Sequence, residues 1–257
     1  MVFFLPPAEG DLPMLAQFRA AFASKVRFVV IQYPDWQDMI RNGGGFDTMV
    51  DAAVAQIRAQ SVADAVFLAG YSFGGIMAYE VARRLVAAGR RIGFLGLIDA
   101  RYGGDAPRKR ESALAKSARR LRRVTRPWRA LEVLPRRLIA ALSSVAAFHS
   151  LAAIGRMANA LPPKLAFELN WHLTAHLRMK ALRRWAVEPQ DIPVVLFRSK
   201  EDWSLADYGW GNLSRQLSVV AIEGTHLSLF DPPYRDVLCA RFFEILEAAW
   251  SAVTLIA

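Results

Sequence analysis

The sequence predicts an α/β protein: a mostly parallel sheet with helices on both faces, interrupted by a helical insertion. Three observations predict it. Short β-branched apolar runs alternate with longer segments of helical periodicity, the pattern of strands joined by crossover helices. That alternation stops near Arg101 and resumes after Trp185. Hydrophobic residues make up 54% of the chain and charged residues 22%, which supplies a sizeable core and excludes a disordered chain. A length of 257 residues suits one large domain with an insertion.

The elements follow in order. Val2–Leu5 is a short apolar run ending at Pro6-Pro7, a buried strand feeding a loop. Lys25–Gln32 is a second β-branched run, ended by Tyr33-Pro34. Asn42-Gly43-Gly44-Gly45 reads as a flexible loop, and Phe46–Gln60 as a helix with Met49, Ala53 and Ile57 on one face. Ala65–Ala69 is a strand, Phe73–Ala88 a helix stopped by Gly89, and Arg91–Ile98 a strand ending at Asp99. Ile192–Arg198 and Leu217–Ile222 are the later strands, and Pro232–Ala249 is a closing helix. The boundaries expected are therefore a core of residues 1–100 and 186–257 with a helical insertion at 101–185, broken by Pro107, Pro127, Pro135 and Pro162-Pro163.

Charge singles out the insertion. Residues 101–137 hold 13 Lys and Arg against 3 Asp and Glu, so they carry the whole net charge of +10. Such a patch attracts an acidic partner: anionic lipid, nucleic acid or an acidic protein. Nucleic acid fits worst, because the basic run has only Trp128 among it and matches no reader fold. Leu138–Gly155 then carries no residue charged at neutral pH. Its serines, His149 and alanines make it only mildly apolar, so a buried or ligand-facing helix is expected, with a membrane-surface helix second. The N-terminus lacks a basic leader and a long apolar run, so no secretory signal is expected. One cysteine, Cys239, excludes a disulfide scaffold and fits a reducing, cytoplasmic setting.

The chemistry concentrates at Gly70-Tyr71-Ser72-Phe73-Gly74. This is a G-x-S-x-G sequence with a strand before it and a helix directly after it, the context of a nucleophile elbow. A strand-to-helix turn that sharp strains the serine and leaves no room for side chains two positions to either side, hence the glycines. It exposes the Ser72 hydroxyl above a helix N-terminus, which favours developing negative charge.

A serine nucleophile needs a base. Of four histidines, His149, His172 and His176 lie in the insertion, and His226 follows the last strand in Gly224-Thr225-His226-Leu227. The order Ser, acid, His of α/β-hydrolases points to His226. Two strand-end carboxylates satisfy that order, Asp99 and Asp202, and either would orient an imidazole and stabilise its cation. An oxyanion hole needs two backbone N–H groups. Phe73 supplies one. Pro6 and Pro7 have none, so Ala8 is the first donor after the opening strand.

These pieces together resemble the thioesterase domains of nonribosomal peptide and polyketide synthases and their stand-alone relatives. The resemblance rests on Phe4-Leu5-Pro6-Pro7-Ala8-Glu9-Gly10, Gly70–Gly75 with Ala78-Tyr79-Glu80-Val81-Ala82, Leu97-Ile98-Asp99 and Gly224-Thr225-His226-Leu227. It covers most of the chain outside the insertion. It implies an α/β-hydrolase fold, a triad of Ser72, Asp99 and His226 with Asp202 as the runner-up acid, and a lid over an acyl channel. It also implies a thioester substrate on the phosphopantetheine of an acyl or peptidyl carrier protein, with no cofactor of the chain's own. Carrier proteins are generally acidic, so the basic stretch 101–137 is the expected docking surface, and a membrane surface is the second candidate. The lid departs from the family in its arginine content. The chain begins at the first matching strand, as either an excised domain or a compact stand-alone enzyme would.

Other features carry less. His172 and His176 stand at metal-ligand spacing without a third ligand, so no metal is expected. The Gly43–Gly45 loop lacks the lysine of a nucleotide-binding loop. Trp128, Phe148, Phe167, Trp171 and Trp185 either line the acyl channel or simply pack. Two other functions stay open: a serine esterase or acyltransferase on a soluble or lipid ester, and a binding module that has lost catalysis.

Overall fold

The computed structural model describes residues 1–41, 44–102, 162–183, 185–200 and 205–256. The strands are β1 (Val2–Leu5), β2 (Phe28–Val30), β3 (Ala65–Tyr71), β4 (Arg91–Ile98), β5 (Val194–Ser199) and β6 (Leu217–Ile222). The helices are α1 (Pro13–Ala20), α2 (Trp36–Arg41), α3 (Phe46–Gln60), α4 (Phe73–Ala87), α5 (Pro163–Leu182) and α6 (Tyr234–Ile256). The six strands form one sheet in the order β2-β1-β3-β4-β5-β6, with every pairing parallel.

The sheet is parallel because its central strands are apolar on both faces. Along β1, Phe3 and Leu5 join a core shared with α2, α3, α4 and α5, while Val2 and Phe4 join a second core shared with α1 and α6. Strand alternation repeats this division in β3, with Val66 and Leu68 on one side and Phe67, Ala69 and Tyr71 on the other.

Several boundaries differ from the sequence reading. β2 is confined to Phe28–Val30, because it is an edge strand that pairs only with β1. β3 runs on to Tyr71, directly into the elbow. α1 and α2 are helices that the sequence pattern did not reveal. They have eight and six residues and bury Leu15 and Phe18, and Trp36 and Met39, respectively. α6 continues past Ala249 to Ile256. Of the expected insertion, residues 103–161 and 184 lie outside the described residues. With them go nearly all of the basic stretch 101–137, the uncharged stretch 138–155 and His149. The described remainder includes α5, whose Leu173 and Leu177 are buried in the first core. Among the described residues, no helix is long and apolar enough to cross a membrane.

The topology has a switch point. β1 and β3 are neighbours, yet the helix after β1 packs on one face of the sheet and the helix after β3 on the other. Parallel sheets bind ligands at the carboxyl edge of such a point.

Candidate active site

Ser72 sits between β3 and α4 with φ 55° and ψ −121°. This is a costly conformation for a residue with a Cβ. Two contacts hold it: Ser72 N–H donates to Ile98 O at 2.9 Å, and Gly75 N–H donates to Ser72 O at 3.0 Å. The flanking glycines are required by space. A Cβ on Gly70 would lie 2.1 Å from Gly74 O, and one on Gly74 would lie 2.0 Å from Leu5 O and 2.4 Å from Pro6 O. The second approach presses the first turn of α4 against the end of β1. It sets Phe73 beside the loop that carries Ala8.

Asp99 ends β4, one residue beyond the carbonyl that holds Ser72. It is 1% exposed and also has positive φ, 44°. Its carboxylate is fully engaged. His226 Nδ1 lies 2.5 Å from Oδ2, while Ser199 N–H donates to Oδ1 at 2.7 Å and the Tyr208 hydroxyl at 3.0 Å. Burial alone would raise the carboxyl's pKa. The hydrogen bonds from His226 and Ser199, with the charge of His226, outweigh it and hold the group below the ordinary carboxylate range. An ionised Asp99 fixes the His226 proton on Nδ1 and leaves the lone pair on Nε2 for proton transfer. The imidazole is itself clamped by Tyr71, whose ring stacks on it and whose hydroxyl donates to His226 O at 2.7 Å.

Ser72 and Asp99 directly follow the neighbouring strands β3 and β4, and Asp99 meets His226 from the loop after β6. Ala8 follows β1, and Phe73 opens α4. Asp202, the other acid candidate, lies outside the described residues. His172 and His176 sit one turn apart on α5. Among the described residues, no group of three or more His, Cys, Asp or Glu is placed to hold a metal ion. Cys239 is not primed as a nucleophile, since burial pushes its thiol up to about 11.

Sequence reasoning missed Tyr208, Ser199, Tyr71 and Arg178. One signal marks Tyr208. Among the described residues the non-glycine positions with positive φ are Ser72, Asp99 and Tyr208, and all three meet at this site. Backbone strain of this kind persists where the surroundings enforce it. Arg101 and Arg198 place their guanidinium groups 5.5 and 5.1 Å from the Tyr208 ring centroid. A separate cavity of about 460 Å³ lies between α2, α3 and α5, with Met39, Ile40, Phe46, Leu177 and Trp185 in its wall. Phe46 joins that wall to the elbow, its ring meeting Phe73 edge-on at 6.1 Å.

Comparison with known proteins identifies the family. The family model named Thioesterase domain matches residues 1–244. Atromentin synthetase greA of Suillus grevillei is 29% identical over 98 residues, 38% of this chain and 10% of that protein. The N-(5-amino-5-carboxypentanoyl)-L-cysteinyl-D-valine synthase of Penicillium rubens is 33% identical over 99 residues, again 38% of this chain but 3% of its own length. The chain thus corresponds to a small part of these relatives. The NocB thioesterase domain, solved in covalent complex with a fluorophosphonate nocardicin G analogue, superposes with a TM-score of 0.63 at 18% identity. That match covers 95% of this chain and 92% of the other. The RedJ thioesterase of the prodiginine pathway in Streptomyces coelicolor gives 0.58 at 19% identity, covering 94% and 88%. The sheet, the elbow and the family match lead to one assignment: this chain is a member of the thioesterase domain family, built on the α/β-hydrolase fold.

Proposed function

We propose that this protein is a serine hydrolase that releases an acyl, peptidyl or polyketide chain from a phosphopantetheinyl carrier through an acyl-Ser72 intermediate. The observation that carries the reading is the 2.5 Å contact between His226 Nδ1 and the buried Asp99 carboxylate, in a fold that mounts a strained Ser72 on the elbow of the neighbouring strand. Ser72 Oγ attacks the thioester carbonyl while His226 Nε2 accepts its proton. The N–H groups of Ala8 and Phe73 hold the oxyanion. Collapse expels the thiol, which takes the proton back from His226. Water, deprotonated by the same imidazole, then releases a free acid; a nucleophile within the acyl chain releases a ring instead. Asp99 holds the imidazole in the productive tautomer and stabilises its cation. The chain itself needs no cofactor, because the phosphopantetheine belongs to the carrier.

The carrier is the natural partner, since the matched relatives are synthetases and a four-domain nonribosomal peptide synthetase shares the fold at a TM-score of 0.65, with 19% identity over 95% of this chain. Its acidic surface would meet the basic stretch 101–137 of a lid spanning 101–185. In that case kcat/KM on a carrier-bound substrate falls steeply with salt, while a small thioester is little affected. Equal salt responses would remove the docking role. Flotation with anionic vesicles would then place the stretch at a membrane surface instead.

The deciding experiment is acyl release from a panel of acyl-phosphopantetheinyl carriers, comparing wild type with Ser72→Ala, Asp99→Asn and Asp202→Asn. Release that is lost in Ser72→Ala, and reduced far more by Asp99→Asn than by Asp202→Asn, is the expected outcome. Labelling by a fluorophosphonate without any carrier turnover would point to an ester substrate. No labelling at all would point to a binding module.

A further inference from the structure

Arg178 is out of place for a residue with no ion pair. It lies on α5, within the stretch expected to form the lid, yet its side chain is buried, with 6% exposure. No carboxylate pairs with it among the described residues, and its Nε has no hydrogen-bond partner. What it does touch is backbone. Nη1 donates to Ala8 O at 2.9 Å, and Nη2 donates to Pro34 O at 3.0 Å with a longer approach of 3.5 Å to Tyr33 O. Its guanidinium lies 5.1 Å from the centroid of the Tyr33 ring. Burial lowers its pKa and outweighs Asp35 and Glu9, which favour its charge from a distance. Burying a cation without a direct ion pair is expensive, and an apolar side chain would dock the helix more cheaply. The arginine is therefore explained by what it holds rather than by the stability it adds.

What it holds is one end of a fully braced loop. Pro6 O accepts from the Tyr33 hydroxyl at 3.0 Å, Pro7 O from Gly10 N–H at 2.9 Å, and Ala8 O from Arg178. Each carbonyl from Pro6 to Ala8 is thus anchored in a different direction. In a planar trans peptide the N–H points opposite to the C=O. Anchoring Pro7 O aims the Ala8 N–H that shares its peptide plane, and anchoring Ala8 O fixes the plane that follows, so the two planes together keep the loop from rotating at Ala8. A guanidinium suits this task because its planar fork spans two carbonyls at once.

We infer that Arg178 is a positioning residue, which aims the Ala8 N–H at the oxyanion by clamping the Ala8 carbonyl from α5. The inference rests on the proposed role of Ala8 in the oxyanion hole. It makes that hole depend on the seating of a helix from the 101–185 stretch.

The test compares wild type with Arg178→Met and Arg178→Lys on an N-acetylcysteamine thioester and with a fluorophosphonate, whose phosphoryl oxygen is directed to the same hole as fluoride leaves. In Arg178→Met, kcat is expected to fall about 10- to 100-fold, the scale of a misdirected oxyanion donor, while KM stays within about twofold. Phosphonylation slows by a similar factor, and the circular dichroism spectrum and cooperative unfolding are retained. Arg178→Lys, with a charge but no fork, recovers only part of the rate. A kcat and phosphonylation rate within about threefold of wild type in folded Arg178→Met would overturn the inference. So would a loss that appears only in KM. Should the methionine variant not fold, Arg178→Lys is judged by the same two criteria. Phosphonylation requires neither thioester nor carrier. If wild type reacts with the phosphonate but hydrolyses no thioester, the substrate assignment fails while Arg178 is still tested.

Discussion

Tyr71 grips His226 at two points: its ring lies on the imidazole, centroids 4.9 Å apart and planes within 23°, and its hydroxyl donates to the backbone carbonyl of the same residue at 2.7 Å. The residue just before Ser72 therefore holds His226, the proposed base for the proposed nucleophile. Tyr71→Phe keeps the stack and deletes the tether, leaving His226 O short of a donor. The expected result is a loss of about 1 kcal/mol in urea unfolding together with a lower kcat. Tyr71→Ala should reduce kcat much further, which single-turnover acylation of a small ester would measure.

Asp99 links the site to acid stability. Its folded pKa lies below the ordinary carboxylate value, so it stabilises the fold above about pH 4 and that contribution disappears as pH falls through the lower, folded value. Asp99→Asn removes the contribution at every pH. Thermal unfolding from pH 7 to pH 2 should show the variant less stable near neutrality and with a shallower decline in acid. Its kcat should be lower by about 10³- to 10⁴-fold, since an amide favours the wrong imidazole tautomer.

Tyr208→Phe removes one of the donors to the Asp99 carboxylate and leaves Ser199 N–H and His226 in place. A charge-assisted hydrogen bond of this type is worth about 1.5–3 kcal/mol. The variant should lose about tenfold in kcat with little change in KM. Its acid-unfolding transition should move to higher pH. A shift in KM alone would place Tyr208 in substrate binding instead.

Gly74→Ala tests the close approach of α4 to β1. The added methyl would meet the Leu5 carbonyl at 2.0 Å, and backbone cannot swing aside as a long side chain can. Destabilisation of about 3 kcal/mol or more is expected from urea midpoints. Whatever fraction folds should acylate slowly, because the collision lies between the segments that carry the two proposed oxyanion donors.

The sequence made the elbow legible because its constraint is local: a turn that tight admits only glycine at Gly70 and Gly74, and that demand is visible in five residues. The central strands were legible as well, since burial on both faces leaves continuous apolar runs such as Val2–Leu5. Helices α1 and α2 were not, as each is too short to display a period. Asp99 and Asp202 both follow apolar runs read as strands, so order along the chain left both open; in the structure Asp99 meets His226, while Asp202 lies outside the described residues. Tyr208 and Arg178 act on residues 109 and 170 positions away. Neither stands in a motif, and nothing around them foretold which carboxylate or carbonyl each would meet. The positive φ at Tyr208 is a property of the folded backbone, hinted at only by Gly209 after it.

The contacts that align the site share one property. Asp99 meets His226 across 127 positions, Tyr71 meets His226 across 155, and Arg178 meets Ala8 across 170. None can form while the chain is locally ordered but globally open, and closing such long loops delays assembly. Helical content can recover early, whereas a competent nucleophile appears only when the first strand, the middle of the sheet and the segment after the last strand have all met. After dilution from denaturant, the return of phosphonate labelling at Ser72 would thus time the final closure of the molecule, and would lag behind any signal from its helices.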